Sequence, residues 1–179
     1  SGAGKSTLAM TIAGLESVTE GKVFCKGKAI HDLKEDELAD YRSKNVGIIF
    51  QSFNLLPSMT ALENVNLPLE ISRDFIDDKK SIKLLETVGL KNRVSHYPHE
   101  LSGGEQQRVA IARSLISSPE ILIADEPTGN LDKKNSKEVI ELIFQLQKNH
   151  KSTLILVTHD KSLADLCDET IILDNGLII

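Results

Sequence analysis

Ile121-Leu122-Ile123-Ala124-Asp125-Glu126 is the stretch on which the fold turns. Four apolar residues without polar alternation describe a strand buried on both faces, the habit of a parallel sheet covered by helices. The run ends in an acidic pair, so the strand delivers two carboxylates to its C-terminal end. Open α/β sheets bind their ligands at that edge. Asp125 is placed to hold Mg²⁺ through water, and Glu126 to polarise an attacking water as general base. Paired acids after a strand also serve as helix caps, and this segment alone does not separate the two readings.

Working outward, Val139, Leu142, Ile143 and Leu146 follow the spacing of a half-buried helix. Thr153 to Val157 reads as the next strand, and Glu169 to Leu173 as another, closed by an Asn175-Gly176 turn. Upstream, Val46 to Phe50 is a buried strand ending at Gln51, and Lys22 to Ile30 alternates around Gly27 like a β-hairpin. Asp32 with Glu35 resembles a capping box opening a polar helix to about Tyr41, and Thr60 with Glu63 is a second such box. Helical patterns then continue through Ile82, Leu85 and Val88. The expected architecture is α/β with a mostly parallel core sheet. It forms a single domain over residues 1–179, with a helical subdomain inserted at about 52–116.

Ser1-Gly2-Ala3-Gly4-Lys5-Ser6-Thr7 matches the end of the P-loop pattern G-x-x-x-x-G-K-[ST]. Glycines let backbone N–H groups converge on phosphate oxygens, and the helix that follows, expected over Leu8 to Leu15, adds positive potential at its N-terminus. Lys5 would reach the β- and γ-phosphates and the Ser6 hydroxyl would ligate Mg²⁺. The first glycine of the pattern would lie two residues before Ser1. The sequence is therefore expected to begin inside a motif of a longer chain, whose upstream part carries the strand leading into this loop.

Leu101-Ser102-Gly103-Gly104-Glu105-Gln106 has two readings. Ser102 and Glu105 fit a capping box for a helix over Arg108 to Leu115. Two glycines at a helix start nevertheless weaken it by about 1 kcal/mol each relative to Ala. They make sense if a phosphate approaches the backbone there. One P-loop already serves one nucleotide, so this second anion site points to the ATP of a second copy of the chain.

Over essentially its whole length the chain resembles the nucleotide-binding domains of the ATP-binding cassette (ABC) superfamily of P-loop NTPases. Gly2 to Thr7 resemble the Walker A motif and Ile121 to Glu126 Walker B. Leu101 to Gln106 resemble the LSGGQ signature, with Glu105 where the family most often has Gln. Gly129-Asn130-Leu131-Asp132 resemble the D-loop, Gln51 the Q-loop glutamine, and His159 in Val157-Thr158-His159-Asp160 the switch histidine.

The resemblance implies a MgATP-hydrolysing domain working as a head-to-tail homodimer or pseudo-homodimer. Glu126, His159 and Gln51 would be catalytic. ATP would be bound by Ser1, Gly2, Ala3, Gly4, Lys5, Ser6 and Thr7, and in trans by Ser102, Gly103 and Gly104. Ser6, Gln51 and Asp125 would hold Mg²⁺. An integral membrane permease would be the partner and the cytoplasmic face of the membrane the location. The aromatic that stacks on adenine in this family would lie before Ser1.

Phe50-Gln51-Ser52-Phe53-Asn54-Leu55-Leu56-Pro57, Thr60 to Val65, and the run Asp125 to Asp132 resemble the subfamily serving lipoprotein release and macrolide or peptide export. Division-linked ATPases are relatives within it, so coupling to division machinery is an alternative. Soluble ABC ATPases acting on DNA or ribosomes are another. Against these, the segment from Thr7 to Ser102 carries neither sustained heptads nor Cys-rich zinc inserts. The formal net charge is −5, with no Lys/Arg run, so no nucleic-acid partner is expected. Apolar runs such as Leu154 to Val157 are far short of the roughly 20 residues that span a bilayer. Cys25 and Cys167 are isolated, which indicates neither a zinc site nor a disulfide framework.

Overall fold

The computed structural model describes residues 2–179; Ser1 lies outside the described residues. A three-stranded parallel sheet forms the centre, in the order β3 (Val46–Ile49), β4 (Ile121–Asp125), β5 (Thr153–Val157). Its register pairs Val46 with Ile121 and Ile49 with Ala124 on one side of β4, and Ile121 with Thr153 and Asp125 with Val157 on the other. Two hairpins accompany it: β1 (Phe24–Cys25) with β2 (Lys28–Ala29), and β6 (Leu173–Asp174) with β7 (Leu177–Ile178). The helices are α1 (Lys5–Ile12), α2 (Glu35–Asn45), α3 (Ala61–Ser72), α4 (Asp78–Thr87), α5 (Gly103–Leu115), α6 (Lys133–His150) and the short α7 (Lys161–Ala164). Between β3 and β4 the chain runs through α3, α4 and α5.

Alternate residues of the sheet serve two cores. Ile49, Leu122 and Ala124 face a cluster with Val65, Leu85, Val109, Ile111, Leu115, Val139 and Ile143 of the helices α3 to α6. Val46, Ile123 and Val157 face Ala9 and Ala13, Ile30 and Tyr41. Both faces of the sheet are thus covered, as the unalternating strand Ile121 to Ala124 requires.

Gly47 lets α5 lie against β3: a Cβ there would fall on the Ser114 carbonyl and against Pro119. Gly47→Ala is accordingly expected to destabilise by about 1–3 kcal/mol through overpacking. For a domain of this size, thermal melts should register about 2–4 °C per kcal/mol. An unchanged melting temperature would mean that the helix and strand are not in this contact.

Local chemistry sets the element ends, and it departs from the sequence reading in several places. The helix after the glycine loop begins at Lys5 rather than Leu8, because Gly4 adopts φ +87° and its carbonyl accepts from Leu8 N at 2.9 Å. The polar helix begins at Glu35, not at Asp32. Its first turn is closed by Glu37, whose carboxylate accepts from Lys34 N at 3.0 Å, so the pairing of Asp32 with Glu35 is not formed. The Thr60 box does form: Glu63 N donates to Thr60 Oγ1 at 3.3 Å, and Thr60 N to Glu63 Oε2 at 2.7 Å. These contacts from Thr60 hold the Glu63 carboxyl below its ordinary pKa.

The strand expected over Glu169 to Leu173 is not present. Residues 169–172 are irregular, and Ile171 and Ile172 are 61% and 57% exposed. Among the described residues no strand pairs with the outer edge of β5, so that segment has no ladder to join. The Asn175-Gly176 turn is formed, with φ of 46° and 80°, and folds the end back as the β6–β7 hairpin.

Candidate functional site

The C-terminal ends of the three parallel strands lead into the residues singled out by sequence. β3 leads into Gln51, β4 supplies Asp125 and Glu126, and β5 leads into His159. The N-terminus of α1 reaches the same edge: Ser6 Oγ donates to Asp125 Oδ1 at 2.9 Å, across 119 residues of sequence. Gly2 and Gly4 both take φ +87°, a conformation open to glycine and strained for other residues, and this turns the backbone into α1. A hydroxyl and a carboxylate at this distance form a hard-oxygen pair of the kind that Mg²⁺ prefers.

Glu126 has φ +46°, which is uncommon for a side chain of this size. Such strain costs about 1–3 kcal/mol and persists only where neighbours impose it. Here Glu126 N donates to Val157 O at 3.0 Å, and Gly129 N donates to Glu126 O at 3.0 Å. The turn lifts the carboxylate out of the sheet edge, and Glu126 Oε1 lies 2.8 Å from His159 Nδ1. The carboxylate is 22% exposed and the imidazole 75%, so a water reaching the acid passes beside the histidine.

Gln51 is placed differently from Ser6 and Asp125. Its side chain lies over Gly129, where a Cβ would approach Gln51 Nε2 to 2.5 Å. Asn130 Nδ2 donates to Gln51 O at 3.0 Å, and Gln51 Nε2 reaches Asn130 Oδ1 at 3.5 Å. In this structure Gln51 is therefore tied to the 129–130 turn, and only Ser6 and Asp125 of the three expected metal ligands are hydrogen-bonded together. Asp132, in the same segment, caps α6 by accepting from Lys134 N and Asn135 N at 2.9 and 3.1 Å.

The 102–106 segment forms the capping box that its spacing predicts. Ser102 is the N-cap of α5, its Oγ accepting from Glu105 N at 3.3 Å while Glu105 Oε2 accepts from Ser102 N at 2.8 Å. That backbone bond, helped by Arg93, lowers the Glu105 pKa. The helix starts at Gly103, not near Arg108. Gly104 is buried with its would-be Cβ 2.5 Å from Asn135 Oδ1, so close packing against α6 favours glycine there. Gly103 is under no such constraint, its nearest neighbours being Leu131 and Phe53 at 3.6 and 3.8 Å. Ser102 is exposed at the helix N-terminus. Among the described residues no hydrogen bond joins residues 102–104 to residues 2–7, which leaves the exposed end of α5 free to meet a phosphate held elsewhere.

Two residues of this neighbourhood were not singled out by sequence. Arg113 donates from Nη2 to Phe53 O at 2.7 Å and from Nη1 to Asn54 O. It thereby fixes two successive residues at φ of 59° and 50°, and desolvation lowers its own pKa. Gln107 is fully buried on the inward stripe of α5. A polar side chain at a core position of an amphipathic helix was the signal available for it.

Comparison with known proteins extends this geometry. Residues 1–129 match the family described as "ABC transporter". The chain is 47% identical to the uncharacterized ABC transporter ATP-binding protein YbbA of Escherichia coli strain K12, over 98% of the chain and 78% of that protein. It is 45% identical to the lipoprotein-releasing system ATP-binding protein LolD of Cytophaga hutchinsonii, over 100% of the chain and 83% of the relative. With the macrolide export ATP-binding/permease protein MacB of Bdellovibrio bacteriovorus it shares 48% identity over 99% of the chain, which is 27% of that longer protein. Among solved structures, the dimeric post-hydrolysis state of the ATP-binding cassette MJ0796 bound to ADP and Pi superposes with a TM-score of 0.88 at 39% identity. That match covers 98% of this chain and 78% of the other.

Proposed function

This chain belongs to the ABC transporter family and is an ATP-binding, ATP-hydrolysing subunit, and from that premise we propose how its residues divide the work. Two copies, or a copy and a close homologue, pair head to tail beside a membrane permease. Each ATP is held by the loop Ser1 to Thr7 of one subunit and by Ser102, Gly103 and Gly104 of the other. Lys5 neutralises the terminal phosphates, and Ser6 and Asp125 would hold Mg²⁺, which would offset the phosphates' charge. Gln51 joins those ligands by leaving the 129–130 turn. Glu126 takes the proton of the attacking water, and His159, 2.8 Å from it, orients that carboxylate and faces the γ-phosphate. Residues 52–116 act as an inserted helical subdomain of one ATPase domain spanning 1–179. The observation that carries this reading is the Ser6–Asp125 hydrogen bond of 2.9 Å, which unites the glycine loop with the acidic strand end.

The likeness to LolD and MacB supports a transporter of the lipoprotein-release or macrolide- and peptide-export kind. No helix among the described residues is long and apolar enough to cross a membrane. In our reading the bilayer is spanned by the permease, with the ATPase domain peripheral on the cytoplasmic face. Two measurements test the proposal. ATP hydrolysis by the transporter complex should stop on chelation of divalent cations and return with Mg²⁺. Asp125→Ala should retain ATP binding while abolishing turnover. Hydrolysis that persists in the chelator, or in Asp125→Ala, would remove the metal role from these residues.

A further inference from the structure

Gln107 is 0% exposed, on the α5 stripe that also buries Gly104, Ile111 and Ser114. Its Nε2 donates to Pro127 O at 2.6 Å and reaches Phe50 O at 3.5 Å. Both partners are carbonyl acceptors, so the hydrogen-bond pattern itself says which end of the amide is nitrogen. The other end, Oε1, is buried with no partner among the described residues. Pro127 directly follows Glu126, and Phe50 directly precedes Gln51.

Packing alone does not explain this amide. Its nitrogen end serves two backbone carbonyls, while its oxygen end makes no contact that would repay its burial. Met would fill the same space but leave the Pro127 carbonyl without its donor. What Met cannot do is hold two carbonyls from two different loops. We propose that Gln107 is a positioning residue for ATP hydrolysis. Through Pro127 it sets the left-handed turn that presents Glu126, and through Phe50 it sets the root of Gln51. It makes both move with the helix that Ser102 caps. The inference rests on the roles proposed above for Glu126, Gln51 and the in-trans end of α5. Given those roles, the helix that senses the partner's nucleotide is bolted to the hydrolytic residues of its own site.

The test is Gln107→Met in the transporter complex, read by ATP turnover, ATP binding and thermal melting, with Glu126→Gln in parallel. Turnover should fall about tenfold or more, as for other residues that orient a reacting group. ATP affinity should stay within about twofold, because uniform binding is untouched, while the melting temperature should fall by only a few degrees as Pro127 O loses its donor. Combined with Gln51→Ala, the loss should be smaller than the product of the two single losses, since the two act through one loop. Unchanged turnover, a loss of ATP affinity as large as the loss of turnover, or independent losses in the double variant would each overturn the proposal.

Should Gln107→Met fail to fold, Gln107→Glu supplies a second reading. A buried carboxyl protonates readily and, once protonated, donates to Pro127 as the amide does. Its activity relative to wild type should therefore rise as pH falls; a flat ratio would overturn the proposal. If Glu126→Gln keeps its turnover, the underlying assignment has failed. If it loses turnover while Gln107→Met does not, only this inference has.

Discussion

Glu126→Gln is expected to lose about 10²–10⁴-fold in ATP turnover while keeping its nucleotide. The substitution is isosteric, so the left-handed turn fixed by Val157 O and Gly129 N has no steric reason to change. The amide can still meet His159 Nδ1, which lies 2.8 Å from the carboxylate in the native protein. What disappears is the carboxylate proposed to take a proton from water. Gly2 to Ser6, proposed to contact the phosphates, lie on another element and are untouched. Hydrolysis is the step that discharges the ATP-bound dimer, so that dimer should accumulate and survive size-exclusion chromatography in MgATP. A variant with near-normal turnover, or one that no longer binds ATP, would take Glu126 out of the role assigned to it.

The site was legible in the sequence wherever strand ends place residues directly. A run such as Ile121 to Ala124 has one sensible environment, and the parallel register with Val157 follows from it. Asp125, Glu126 and His159 are one or two residues from the ends of those strands, so little conformational freedom separates sequence from position. Ser6 needed only the glycine turn at Gly4 to be aimed. The cap of α5 was legible too, because Ser102 and Glu105 act over a single turn.

What escaped depends on distant partners. Gln107 and Arg113 draw their meaning from carbonyls of residues 50, 53, 54 and 127, which no local pattern announces. The glycine at 104 was read for a phosphate alone, whereas the Asn135 side chain of α6 also packs where its Cβ would be. The expected strand at Glu169 to Leu173 failed for the same reason in reverse. Its apolar run Ile171 to Leu173 is real, but a strand exists only beside a neighbour, and only Leu173 finds one, in Ile178. At the start of α2, Asp32 and Glu35 had the spacing of a capping box, but Glu37 with Lys34 N makes the helix start two residues later.

In the proposed mechanism each ATP is hydrolysed between two subunits, with Ser102 of one facing the nucleotide on Lys5 of the other. Ser102 is exposed at the N-terminus of α5 and makes no hydrogen bond to its own glycine loop among the described residues. Ser102→Arg puts bulk and charge where the opposing phosphate docks, and Lys5→Ala removes the charge that holds the phosphates. Either homodimer should be inactive, because both of its sites carry the defect. The decisive measurement is ATP turnover in heterodimers isolated through two different tags. Pairing Ser102→Arg with Lys5→Ala gathers both defects into one site and leaves the other intact, so turnover should return to a substantial share of wild type. Pairing a wild-type subunit with one carrying both substitutions puts a defect in each site, so that dimer should stay inactive. Activity in the second pairing and none in the first would contradict the account, since it would place each complete site within a single chain.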